Sequence, residues 1–187
     1  STPCGTLFPY TTLFRSDRYR KPDTPRLIDS LGMMMEERSW CWLKDASVSG
    51  DVRIVVTIYI EKPHFDGIDF VINARDDTLE HWAQVPPCYS AKFGGYYGIL
   101  DFVSFNHAVV PGYPFFGVES AYTGQKKVKI TFQRKGNRIT LFVDGRVQTS
   151  REDDIPLSGP SFARIGIRTF SSTPRIQQID VYRLSLP

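Results

Sequence analysis

The sequence predicts an all-β chain folded as a two-sheet antiparallel β-sandwich. Apolar and polar residues alternate with period two in one segment after another, turn signals separate those segments, and a helical period is nearly absent. The first strong segment sends Val52, Ile54, Val56, Ile58 and Ile60 one way and Arg53, Val55, Thr57 and Tyr59 the other. That is what a strand with one face on a core requires. Residues 67–74 repeat the pattern, with Ile68, Phe70 and Ile72 set against Asp69, Val71 and Asn73.

From Thr78 to Gly124 the alternation breaks down among aromatic residues, Gly and Pro. Short strands are expected near Tyr89–Phe93 and Tyr97–Phe105, joined by long loops, and Thr78–Trp82 suffices for one helical turn at most. Periodicity returns with Val128, Ile130 and Phe132, then a turn at Lys135-Gly136-Asn137, then Ile139, Leu141 and Val143. Asp144-Gly145 predicts a type I′ hairpin turn, because both central positions need positive φ. Val147 and Thr149 continue the return strand. Phe162–Thr169 turns Ile165 and Ile167 inward beside Gly166, and the imperfect alternation of Ile176, Ile179, Val181 and Leu184 predicts a bulge or a change of sheet.

Composition narrows the function classes. With 23 basic and 20 acidic residues the net charge is +3, which gives no electrostatic case for nucleic acid as a partner. No apolar run reaches membrane-spanning length. The cysteines, Cys4, Cys41 and Cys88, form neither a CxxC pair nor a disulfide-dense framework.

The N-terminus reads differently from the rest. Residues 6–16, Thr-Leu-Phe-Pro-Tyr-Thr-Thr-Leu-Phe-Arg-Ser, resemble a sequencing adapter translated codon for codon. They lack the basic start, apolar run and cleavage site of a signal peptide. The expectation is a non-native segment over 1–16, a linker rich in Pro and basic residues over 17–25, and a sandwich domain over 26–187. On that reading upstream domains are missing and the cellular compartment is left open.

Four segments carry a family resemblance: Val128–Arg134, Gly136–Gly145, Arg164–Thr169 and Ile179–Tyr182. Together they resemble the closing strands of concanavalin-like jelly rolls, a layout shared by laminin-G-like modules and by the bacterial family that includes proposed 3-keto-disaccharide hydrolases. Glu37–Trp42 followed by Asp51–Ile60 is similar to the opening of such domains. The resemblance implies a fold far more than a function.

Catalysis by two carboxyl groups needs them about 5–9.5 Å apart. The jelly-roll glucanases place them on one strand as Glu-x-Asp-x-x-Glu; here Gly67 and Ile72 stand where both glutamates would be, around Asp69. The acids that remain as an alternative catalytic set are Asp69, Asp101 and Glu119. His64, His81 and His107 have no spacing that would put two imidazoles on one face for zinc. Asp66 to Asp69 and Asn73 to Asp77 supply oxygen ligands suited to calcium without matching a dedicated loop, so no resident cofactor is expected and calcium is the alternative. A Gly-x-Ser-x-Gly motif is missing, Gly94-Gly95 lacks the lysine of a phosphate loop, and Cys41 between Trp40 and Trp42 reads as a small buried residue.

The aromatic residues are the stronger signal, since sugar rings stack their C–H faces on Trp and Tyr. Trp82, Tyr89, Tyr96 and Tyr97, with Asn106, Asp101 and Arg75 as polar partners, are the expected ligand-binding set. Lys126, Lys127 and Lys129 read as a solvated strand face, and Glu152-Asp153-Asp154 as a solvated loop. The expected function is a non-catalytic C-terminal accessory module of a larger bacterial-type protein, with carbohydrate as its partner. The alternatives are a glycoside hydrolase of the same fold and a structural or protein-interaction module.

Overall fold

The structure, a computed structural model, describes residues 14–15, 28–29, 32–35, 37–43, 47–61, 67–75, 85–107 and 114–184. These residues form the strands β1 (Phe14–Arg15), β2 (Ile28–Asp29), β3 (Gly32–Met34), β4 (Trp40–Leu43), β5 (Val52–Tyr59), β6 (Ile68–Arg75) and β7 (Cys88–Gly94). They continue as β8 (Leu100–Asn106), β9 (Phe115–Glu119), β10 (Lys127–Lys135), β11 (Arg138–Val143), β12 (Arg146–Glu152), β13 (Phe162–Thr169) and β14 (Arg175–Arg183). Sheet I runs β1-β4-β13-β6-β7-β8-β9, and sheet II runs β12-β11-β10-β5-β14-β3-β2. Neighbours pair antiparallel throughout both sheets. The expected two-sheet sandwich is what the chain adopts.

The alternation in the sequence builds the core. Val52, Ile54, Val56 and Ile58 of β5 and Val128, Ile130 and Phe132 of β10 are buried against Ile68, Phe70, Ile72, Tyr89, Ala91 and Phe93 of sheet I. Each buried Val, Ile or Phe among them contributes roughly 1.5–3 kcal/mol through removal from water. Asp144 and Gly145 take φ values of 48° and 80° at the β11–β12 turn, as a type I′ hairpin demands. The Asp144 carboxylate accepts from Lys129 N at 2.9 Å, which ties that turn to β10. The irregular period of β14 is a bulge between Ile176 and Gln178.

Two expectations need correction. β7 and β8 are joined by a tight turn rather than a long loop. Gly94, Tyr96, Tyr97 and Gly98 all take left-handed φ, at 66°, 51°, 63° and 85°. Two tyrosines in that region cost of order 1–2 kcal/mol each, a cost the surrounding contacts must offset. The stretch read as a solvated acidic loop holds Asp153, which is buried and accepts hydrogen bonds from Tyr89 Oη at 2.7 Å and His107 Nε2 at 2.8 Å. The turn considered at Thr78–Trp82 lies outside the described residues. Cys41 faces the main core and Cys88 the opposite side of sheet I, so the sheet itself separates the two thiols. Burial raises the Cys88 thiol pKa far above its ordinary range.

Candidate functional site

The two outward faces of the sandwich differ sharply. On sheet II many of the residues facing away from the core are polar and exposed or half-buried, among them Lys127, Lys129 and the Arg53–Gln133 pair. On sheet I, strands β6 and β7 are buried on both sides. Strand register lines the outer residues of sheet I into two rows across six strands. One row reads Trp40, Arg168, Asp69, Lys92, Phe102 and Gly117; the other reads Trp42, Gly166, Val71, Ser90, Ser104 and Phe115.

Trp40 and Trp42 are two residues apart on β4, so the pleat puts both rings on one side. The rings stack at 4.8 Å with 12° between their planes. Trp42 lies over Gly166, where a Cβ would approach its Cε3 to 2.5 Å. The Arg164 guanidinium carbon stands 4.2 Å from the Trp42 ring, and that of Arg168 stands 5.1 Å from Trp40. Arg168 donates from Nε at 3.0 Å and from Nη2 at 2.6 Å to one oxygen of Asp69, Oδ2. The other oxygen, Oδ1, is buried without a hydrogen-bond partner, and so is Nε1 of Trp42. Such atoms cost of order 1–3 kcal/mol each unless something reaches them.

Lys92 reaches this face through a slot made by two glycines. A Cβ at Gly67 would overlap Lys92 Cε, and a Cβ at Gly95 would stand 3.0 Å from Cδ and Cε. The ammonium nitrogen lies 3.3 Å from the centre of the Phe170 ring and 5.9 Å from those of Tyr96 and Phe102. Beyond it Phe102 and Phe115 meet edge to face at 4.4 Å. Exposure grades along the strip: Asp69 is 2% and Lys92 7% exposed, whereas Phe115 is 46%, Tyr96 59% and Tyr97 77% exposed. A charged, largely buried centre therefore opens onto a rim of exposed rings.

The expected site residues fall in several places. Tyr96 and Tyr97 stand on the exposed turn, with Tyr96 beside Lys92. Tyr89 does not join them: it is fully buried in the core, donates to Asp153 and accepts from Leu157 N at 2.8 Å, so it presents no stacking face. Asn106 ends β8 and donates to the carbonyls of Val85 and Pro86, fixing the approach to β7. Arg75 ends β6, with its amide bonded to Pro87 O. Trp82 lies outside the described residues.

Nor do the candidate acids gather. Asp69 faces outward, whereas Asp101 faces the core side and is fully buried. Its carboxylate accepts from Gly94 N, Ser120 Oγ and Ala121 N. Glu119 is exposed on the edge strand β9, three strands from Asp69, a lateral separation of roughly 14 Å at ~4.8 Å per strand. Burial pushes the Asp101 carboxyl above the ordinary carboxylate range, outweighing hydrogen bonds that pull it down. A carboxyl raised in the folded state adds stability that is complete below its unfolded pKa and lost as pH rises through the folded one. The stability gap between wild type and Asp101→Asn should therefore narrow as pH rises from about 3 to about 7, measured by urea unfolding. A gap that widens over that range would refute this placement of the charge.

Among the described residues no group of three or more His, Cys, Asp or Glu side chains could hold a metal ion. His64, His81, Asp66, Asp76 and Asp77 lie outside those residues. Of the calcium candidates within them, Asp69 is engaged by Arg168, and Asn73 donates to the carbonyls of Gly50 and Phe162. No helix of the described residues is long and apolar enough to cross a membrane.

Sequence reasoning missed Trp40, Trp42, Lys92, Phe102, Phe115, Arg164, Arg168 and Phe170 as one surface. The available signal was the period itself, since Trp40 and Trp42, and Arg164 and Arg168, occupy the positions opposite buried Cys41, Ile165 and Ile167.

No protein-family model matches the sequence, and no curated protein matches it. Solved structures do. The carbohydrate-binding module CBM66 from Bacillus subtilis is 14% identical, covering 91% of this chain and 96% of its own, with a TM-score of 0.66. The β-glucanase of Bacillus licheniformis is 11% identical over 99% of this chain and 100% of its own, at 0.63. The exoplasmic/lumenal domain of VIP36, in its Ca2+/Man3GlcNAc-bound form, is 11% identical over 93% of this chain and 84% of its own, at 0.62. At these identities the likeness concerns the fold alone, and with the two antiparallel sheets it gives the chain the fold of a concanavalin-like jelly roll.

Proposed function

We propose that this chain is a carbohydrate-binding module that does not cleave its ligand, and that its binding face is the outer surface of sheet I. One observation carries the reading: on one face of that sheet, the exposed rings of Tyr96 and Phe115 and the half-buried ring of Phe102 stand beside the strand pair that carries Lys92 and Asp69, and Asp69 Oδ1 is a buried acceptor without a hydrogen-bond partner. A sugar has the complementary chemistry, with C–H faces for the rings and hydroxyls that both donate and accept. Further support comes from the sugar-related structures that share the fold.

The non-catalytic part of the reading rests on the carboxylates. Asp69 is the one carboxylate in the two rows, and its Oδ2 is committed to Arg168. With Asp101 on the other face and Glu119 three strands away, neither of these acids stands beside Asp69 on this face as a hydrolytic partner. An accessory role in a larger protein of bacterial type is consistent with such a module. Tyr96→Ala and Phe115→Ala alter exposed rings, so each should weaken glycan binding about 3–10-fold while leaving the melting temperature close to wild type. A glycan array followed by calorimetry on the best ligand measures this. Release of reducing ends by the wild-type chain, or binding unchanged in both variants, would overturn the reading.

A further inference from the structure

We infer that Tyr97 is a further ring of the binding face, held out by a strained turn, and that the ligand is a glycan chain rather than a single sugar. The inference rests on the carbohydrate-binding reading and adds the length of the ligand and a residue that contacts it.

The turn between β7 and β8 reads Gly94-Gly95-Tyr96-Tyr97-Gly98. Tyr96 lies at φ 51° and ψ 58°, and Tyr97 at φ 63° and ψ 34°. A Cβ in that left-handed region crowds the following carbonyl oxygen, a clash that glycine escapes. The turn has glycine at its other left-handed positions, Gly94 and Gly98, and tyrosine at these two. Burial of the side chain does not offset the strain at Tyr97, which is 77% exposed.

The backbone is held from beneath instead. Asp101, fully buried, accepts from Gly94 N at 2.8 Å, Ser120 Oγ at 2.8 Å and Ala121 N at 3.0 Å. Gly95 bridges to Leu100, and the Ile99 N–H donates to Gly95 O. These bonds fix the turn and leave both rings outside. Side chains kept in a strained backbone and out of the packing are placed for something they bind, and a turn fixed beforehand has less freedom to lose on binding.

Direction sets the length of the ligand. The Tyr96 ring stands over the outer face of sheet I, its centre 5.9 Å from Lys92 Nζ. Successive residues of a left-handed turn differ in direction by about 100°, as in its right-handed mirror image. Tyr97 therefore does not stack on the sugar unit that lies on Tyr96. It meets the next unit of the same chain, beyond the rim of Tyr96, Phe102 and Phe115.

Two substitutions separate the ring from the strain. Tyr97→Ala and Tyr97→Gly both remove the ring, and only glycine also relieves the backbone. Urea unfolding needs no ligand: the midpoint of Tyr97→Gly should lie above that of Tyr97→Ala by about 0.5 M. Calorimetry then titrates cellohexaose, mannohexaose and xylohexaose, each beside the methyl glycoside of its own sugar. At least one chain should bind wild type about ten-fold or more tighter than its single sugar. Both variants should lose about 3–10-fold on that chain and bind the single sugar as wild type does. Equal midpoints for the two variants, or chain binding unchanged in both, would overturn this inference while the carbohydrate-binding reading stands on Tyr96 and Phe115. The same follows if no chain binds tighter than its single sugar while glycans are bound on an array. Binding to no glycan of any kind would remove both.

Discussion

Gly166→Ala should destabilise the chain by roughly 3 kcal/mol, although it adds one methyl group to a strand interior. The new Cβ would stand 2.5 Å from Cε3 and 2.8 Å from Cζ3 of Trp42, and 3.0 Å from the backbone oxygen of Cys41. Trp42 has nowhere easy to go. It is buried, stacked on Trp40 and covered by Arg164, and the Cys41 carbonyl belongs to the adjoining strand. Alanine's better strand propensity, worth less than about 1 kcal/mol, cannot offset that overlap. Urea unfolding followed by tryptophan fluorescence measures the loss, and a change below about 1 kcal/mol would mean that the Trp42 ring does not lie on Gly166. A double-mutant cycle identifies the cause. Trp42→Leu is itself destabilising, but the pair should be at least ~1 kcal/mol less damaging than the two single changes added together, because the smaller side chain makes room for the methyl.

That dependence shows which parts of the molecule could be read from its sequence. Strands β5 and β10 were legible because each has one wetter face and one dry face, which writes a period of two directly into the residue order. The Asp144-Gly145 hairpin was legible because left-handed φ restricts residue choice. β6 and β7 lack the contrast, being buried on both sides. Asn73, at a φ of 49°, also breaks the alternation of β6, so that Ala74 joins Val71 on the outer side. The candidate site shared that obscurity. Lys92 sits between Ala91 and Phe93 as any solvated strand lysine might, and only the register beside Gly67 and Gly95 shows its stem enclosed. Tyr96 and Tyr97 could be picked out because aromatics in a glycine-rich turn have little to bury against. Tyr89, one strand earlier, had the same letter and the opposite fate.

Asp153→Ala should cost about 3–5 kcal/mol, the largest loss expected from a single side chain outside the sheets. Its Oδ2 accepts from Tyr89 Oη at 2.7 Å and His107 Nε2 at 2.8 Å, and its Oδ1 accepts from Ile155 N at 3.1 Å. Truncation leaves a buried phenol and a buried imidazole N–H without acceptors, on top of a lost charge-assisted bond. The damage spreads because the cluster joins the two sheets. Tyr89 comes from β7 of sheet I. Its hydroxyl accepts from Leu157 N, and the Leu157 carbonyl accepts from Arg134 of β10 in sheet II. The Arg134 guanidinium lies 5.6 Å from the centre of the Tyr89 ring. The size of each loss should follow the number of donors stranded. Asp153→Asn, which keeps one acceptor oxygen, should cost about 2 kcal/mol, and Tyr89→Phe, which strands only Leu157 N, about 1–2 kcal/mol. Equilibrium unfolding of the three variants gives the order directly. If Asp153→Ala lies within about 1 kcal/mol of wild type, the carboxylate is solvated, as its place between Glu152 and Asp154 first suggested, and the cross-sheet cluster does not hold the sandwich together.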